Sequence, residues 1–288
     1  MALPLAAAVT LGAPATTGAA PAITAASPTS GVQPLERAHA HNDYEHERPV
    51  LDALAHGFTS LEADVYLVDG QLLVGHDPVD LDPERTLQSL YLDPLRRIAH
   101  RNGGSVYRKW DGSLQLLIDI KNTGAETYAA IDEVLRHYPD IMTRWTGDRV
   151  HERAVTAVIS GDRPRALMEA QRTRFAGYDG RLSDLGSGTS ASFMPLVSDN
   201  WTRHFTWLGV GPMPEAERQK LVQIVERAHA AGYRVRFWAT PDLDTEAREA
   251  LWRELVAAGV DHINTDDLAG LQEFLLAEDP AEQDARAA

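Results

Sequence analysis

From Arg37 onward the chain alternates short apolar runs with amphipathic stretches, and that alternation admits few folds. Strands covered on both faces read as continuous Val, Ile and Leu runs, while segments at helical spacing between them mark crossover connections. The pattern therefore specifies repeated βα units and a parallel sheet. Strand-like runs fall at 37–41, 58–66, 114–120, 154–160, 174–177, 194–198, 234–238 and 261–264. About eight such runs close a parallel sheet into a barrel. The expected fold is α/β, a single (β/α)8 TIM barrel with scope for distortion, over residues 34–278.

The helical segments are clearest late in the chain. Pro214-Glu215 opens a run through Leu221, Ile224, Val225 and Ala228 that Gly232 closes, and another runs from Thr245 through Leu251 and Leu255 to Gly259. Residues 178–192 have no period and many small side chains, so a mobile loop is expected there, with a lid over the barrel mouth as its functional form. Residues 1–33 read as a signal-peptide-like or disordered segment. Their apolar Ala2-Leu3-Pro4-Leu5-Ala6-Ala7-Ala8-Val9 core favours export, with a cytoplasmic location as the other reading. The acidic, Ala-rich stretch 279–288 is expected to be a disordered tail.

A formal charge of -15 repels nucleic acid and anionic membranes, so a phosphate-bearing substrate needs a local cation. The chain has no cysteine, which excludes disulfides, thiolate metal sites and cysteine nucleophiles. No run is long enough to cross a bilayer, so stable membrane insertion is not expected, and a monomer is. Lys109, Lys121 and Lys220 are the only lysines, which makes one inside an apolar strand conspicuous.

Three polar blocks interrupt the early strands. Glu62 and Asp64 stand two apart in Leu61-Glu62-Ala63-Asp64-Val65, so on a strand both point to one face. Carboxylates that close repel unless a cation or proton joins them, and oxygen-only ligands select a hard ion. The alternative is a solvated strand end. Leu116-Leu117-Ile118-Asp119-Ile120-Lys121 repeats the spacing with an acid and a base, which could serve a metal and a phosphate or form a plain salt bridge. His41 and His76 each adjoin an acid-bearing block at a strand end, where a barrel displays its working groups, and imidazoles exchange protons near neutral pH.

The ordered set Ala40-His41-Asn42-Asp43-Tyr44, Leu61-Glu62-Ala63-Asp64-Val65, Gly75-His76-Asp77, Ile118-Asp119-Ile120-Lys121, Phe237-Trp238-Ala239-Thr240 and Ala258 through Asp266 resembles the PI-PLC-like phosphodiesterase superfamily. Its nearest branches are the glycerophosphodiester phosphodiesterases and the sphingomyelinase D proteins. The resemblance implies a metal-dependent phosphoric diester hydrolase acting on glycerophosphodiesters or phospholipid head groups. His41 and His76 would be the catalytic pair, with Lys121 on the phosphate. Glu62, Asp64 and Asp119 would hold one divalent cation, Mg²⁺ or Ca²⁺, while Asn42 and Trp238 would contact substrate.

Other readings stand beside this one. A sphingomyelinase D-like phosphotransferase would release a cyclic phosphate, and Asp119-Ile120-Lys121-Asn122-Thr123-Gly124 resembles that branch, although its cysteine-closed loop cannot form here. An amidohydrolase-like site would start from His39-Ala40-His41 but needs histidines on later strands. A barrel that binds without turnover is the third. Phe193, Trp201, Phe205 and Trp207 are expected near the rim, where they could meet an acyl or glycerol group or simply pack.

Overall fold

The computed structural model describes residues 29–147 and 149–287. Eight parallel strands form the barrel: β1 (Leu35–Ala40), β2 (Phe58–Val68), β3 (Leu114–Ile120), β4 (Val155–Gly161), β5 (Ala176–Gly180), β6 (Leu196–Asn200), β7 (Arg234–Trp238) and β8 (His262–Thr265). Each pairs with its sequence neighbour, and β1 pairs with both β8 and β2, which closes the ring. The end of β2 folds back on an antiparallel strand, Gln71–Val74. That hairpin carries His76 to the carboxyl end of the barrel.

Helices α1 (Leu51–Ala55), α2 (Asp93–Asn102), α3 (Gly124–Leu135) and α4 (Arg165–Ala170) follow β1 to β4. After β6 come α5 (Trp201–His204) and α6 (Glu215–Ala230), then α7 (Glu246–Ala258), α8 (Leu268–Glu278) and α9 (Pro280–Ala287). Helix α7 begins and ends where its sequence signals lie: the Thr245 side chain accepts from the Arg248 N–H, and Gly259 takes the left-handed conformation that closes the last turn.

The two faces of each strand do different work. Leu116, Ile118, Val155, Ala157, Ile159 and Val197 belong to the apolar layer between barrel and helices. Inside the ring the apolar contribution shrinks to Leu117, Val158 and Leu196, all fully buried, whose burial stabilises by roughly 1.5–3 kcal/mol each. The rest of the interior is polar, with His39, Glu62, Arg236 and Asn264 on the side formed by β1, β2, β7 and β8. A polar interior must be internally bonded, and that requirement shapes the site.

Two expectations need correction, and one open choice is decided. Residues 178–180, read as loop, complete β5. Small residues are there for packing, because a Cβ on Gly177 would meet Pro195 Cγ at 2.6 Å and one on Gly180 would meet Met194 Sδ at 2.3 Å. The stretch after Asp279 is helical and tied down rather than frayed: Asp279 pairs with Arg37 at 2.8 Å, and the Glu282 carboxylate accepts from Gln33 Nε2 at 2.9 Å. Phe193, Trp201, Phe205 and Trp207 are buried, with Trp201 and Phe205 stacked at 4.0 Å, so they pack the core and meet no ligand at the rim.

Candidate active site

The carboxylates gather because of strand register. Asp64 on β2 lies directly opposite Asp119 on β3, and Glu62 sits two residues earlier on the same inward face. Each of the three offers an oxygen within 4.8 Å of the others'. Among the described residues this is the one cluster of acidic or histidine side chains with metal-site spacing, and it contains no histidine.

Each buried carboxylate on β2 is held through one oxygen. Glu62 Oε2 accepts from Arg236 at 2.5 Å and meets His39 Nε2 at 3.2 Å. Burial works against that charge, but the guanidinium outweighs it and holds Glu62 well below the usual carboxylate range. His39 is driven down to about 3 by burial and then by Arg236, so it is neutral. Gln115 Nε2 donates to Ser60 Oγ at 2.8 Å, and Ser60 Oγ lies 2.6 Å from His39 Nδ1, which assigns the ring's N–H to Nε2 and aims it at Glu62.

Asp64 Oδ2 receives Lys121 Nζ at 2.9 Å and the Tyr44 hydroxyl at 2.8 Å, with His76 Nδ1 at 3.3 Å. Its other oxygen, Oδ1, is buried without a hydrogen-bond partner. Burial and then the charge of Glu62 raise the Asp64 pKa, and burial raises Asp119 to about 6 against the pull of Lys121. An orphaned oxygen among crowded, oxygen-only donors fits a hard divalent cation.

The remaining residues line the same mouth. His41 Nδ1 lies 2.8 Å from Asp266 Oδ1, which leaves Nε2 for other work. Burial lowers its pKa, but the bond to Asp266 and the charge of Glu62 prevail and leave it above the ordinary histidine value. Asn42 adopts φ 46, and its Oδ1 lies 2.8 Å from the Tyr44 hydroxyl. Lys121 pairs with Asp119 at 3.6 Å as well as with Asp64, so its salt bridge and its place in the site are one arrangement. Trp238 ends β7 half-exposed, with Arg203 5.9 Å above its ring. His39, the other half of His39-Ala40-His41, is occupied by Ser60 and Glu62, which removes the amidohydrolase-like reading.

The barrel and its site have relatives. The AIM6-like phosphodiesterase domain matches residues 27–179, more than half of the chain. The chain belongs to that family. Residues 234–269 also match the glycerophosphoryl diester phosphodiesterase family. Altered inheritance of mitochondria protein 6 of Eremothecium gossypii is 33% identical over 276 residues, 85% of this chain and 71% of that protein. The homologue in Arthroderma benhamiae is 30% identical over 268 residues, 83% of each. A glycerophosphoryl diester phosphodiesterase from Parabacteroides distasonis shares the fold at a TM-score of 0.51 and 16% identity, covering 88% of this chain and 92% of that one. As an AIM6-like domain the chain is a phosphodiesterase-type protein whose acidic triad can take a divalent ion. The relatives' names refer to inheritance of mitochondria, which overturns the expectation of export. The Ala-rich stretch behind that expectation lies outside the described residues.

Several members of this AIM6-like site escaped the sequence reading. Arg236 carried a signal, because a cation between Val235 and Phe237 in a strand must face inward. Tyr44 and Asp266 lay inside recognised blocks without roles. Arg181, which bonds Asp179 Oδ2 at 2.7 Å at the end of its own strand and feels the charge of Asp119, fell in the supposed loop.

Proposed function

We propose that the chain is a metal-dependent phosphoric diester hydrolase acting on glycerophosphodiesters or phospholipid head groups, with His41 and His76 as its acid–base pair. The observation that carries this reading is the convergence of Glu62, Asp64 and Asp119 within 4.8 Å beside His76, which touches Asp64, and His41, which feels the charge of Glu62. Those three carboxylates would hold one Mg²⁺ or Ca²⁺. A bound divalent ion polarises phosphoryl oxygens and neutralises charge that develops on them.

The chain's own groups would do the rest. Arg236 and His39 fix Glu62, while Tyr44 and Lys121 fix Asp64, so the carboxylates need little reorganisation. Lys121 brings a positive charge to the same place and would contact a phosphate oxygen. His41, held through Nδ1 by Asp266 and raised in pKa, suits the general acid that protonates the leaving oxygen. His76, anchored at Nδ1, would take the proton of the attacking water, or of a substrate hydroxyl where the product is a cyclic phosphate. Asn42 and Trp238 would orient the substrate from the mouth.

Phosphorus NMR on a panel of glycerophosphodiesters, lysophospholipids and sphingomyelin, with each ion in turn, tests this. Ion-dependent loss of a diester resonance is expected, and the product resonance separates a monoester from a cyclic phosphate. No conversion of any diester with either ion would overturn the reading.

A further inference from the structure

Large apolar side chains reach water at few described positions, and the three most exposed are Val79 at 91%, Leu243 at 81% and Val210 at 80%. All three stand between the carboxyl end of a strand and the main helix that leads to the next strand. Val79 follows the β2 hairpin, three residues past His76; Val210 lies between α5 and α6; Leu243 lies between β7 and α7. In a parallel barrel those connections emerge at the carboxyl end, the end that carries the carboxylates and imidazoles. Strand β2 borders one side of the mouth and β6 and β7 the other, so the tips bracket it. The helix-to-strand end contributes only Val150, at 47%, from the same class.

Single exposed apolar residues are ordinary on a protein surface, but these share a location and a charge pattern. No Lys or Arg occurs in 76–84, 204–217 or 239–247. Acids flank each tip instead: Asp77 and Asp80 near Val79, Asp242 near Leu243 together with Asp244, which pairs with Arg248 at 2.9 Å, and beyond Val210 Glu217 together with Glu215, which lies 3.4 Å from Arg218. A surface resting on them must admit apolar side chains and present positive charge outermost, which describes a choline-bearing zwitterionic lipid layer. An anionic layer would be opposed by the unpaired acids and by the chain's formal charge of -15. A folded protein seated on all three tips would cover the mouth, whereas a lipid layer brings a phosphodiester to it.

We propose that Val79, Val210 and Leu243 form a docking platform that seats the barrel mouth on a zwitterionic phospholipid surface. The choice of lipid rests on the phosphodiester reading above. None of the three side chains belongs to the acid–base or metal-binding set.

Flotation of the full chain with phosphatidylcholine vesicles tests the platform. Binding is expected, with phosphatidylserine vesicles at least tenfold poorer at low salt. The triple variant Val79→Ser, Val210→Ser, Leu243→Ser should lose at least tenfold in vesicle affinity while cleaving a soluble glycerophosphodiester at the parental rate. As a gain-of-function check, Leu243→Trp should strengthen binding, with a blue shift of its fluorescence on vesicles. Absence of vesicle binding by the parental chain, or equal binding by the triple variant, would overturn the platform, and a protein occupant would then be the alternative. Vesicle binding without cleavage of any diester would leave the platform standing and overturn the enzymatic reading.

Discussion

Glu62 and Arg236 meet inside the barrel at 2.5 Å, from strands separated by two others, and both side chains are almost wholly buried. Removing one partner of such a pair leaves an uncompensated charge, a loss of about 3–5 kcal/mol. Arg236→Met should cost about that much in urea denaturation and should weaken Mn²⁺ binding, because Glu62 would then tend to take up a proton. Unchanged denaturation and unchanged Mn²⁺ affinity would show that the pair neither holds the barrel nor prepares Glu62.

His41→Ala and His76→Ala remove proton-transfer groups at the half-exposed mouth rather than core volume. Each should lower turnover of a cleaved diester by about 10²- to 10⁴-fold with little change in thermal midpoint. Full activity in either variant would refute the acid–base assignment.

Asp266→Asn should shift a pH profile. The carboxylate's bond raises the His41 pKa, so its loss lowers that pKa, and the limb governed by His41 moves to lower pH whether the ring acts as acid or base. A profile superimposable on the parental one would separate Asp266 from the chemistry.

Asp64→Asn keeps the side chain's shape and removes its charge from the triad. Mn²⁺ binding followed by electron paramagnetic resonance should weaken at least tenfold, about 1.4 kcal/mol. Equal affinity, or full activity of the parental chain in excess chelator, would take the ion out of the mechanism.

Asp43 offers a stability test away from the triad. Burial pushes its carboxyl up to about 7, even though Oδ2 accepts from the Val50 N–H at 2.8 Å. The unfolded chain titrates near ~3.9, so this group's contribution to stability is complete below that pH and is lost as pH rises through about 7. Asp43→Asn should flatten the decline in thermal midpoint between about pH 4 and 7. An identical decline in both proteins would place the dependence elsewhere.

The elements that sequence patterning located best were those whose periodicity was uninterrupted. Runs such as 114–120 and 234–238 are strands with those very bounds, and Thr245 and Gly259 mark the ends of α7. It failed at 178–180 because Gly180 looks like a loop residue until Met194 is seen against it. It left Trp201 and Phe205 open because aromatic side chains suit a core and a rim equally well, and the structure decides for packing.

The sequence by itself determined the barrel, through its alternation of strand and helix periods, and put Glu62 and Asp64 on one inward face through their two-residue spacing, while Asp119 joined them only through the family resemblance. Only the tertiary structure decided what surrounds that cluster: that Arg236 and His39 take one oxygen of Glu62, that Tyr44 and Lys121 take one of Asp64, and that Asp266 holds His41. Local periodicity fixes which way a side chain faces on its own strand. The partner it meets there depends on how the ring closes and in what register, since Glu62 and Arg236 lie 174 residues apart in the chain.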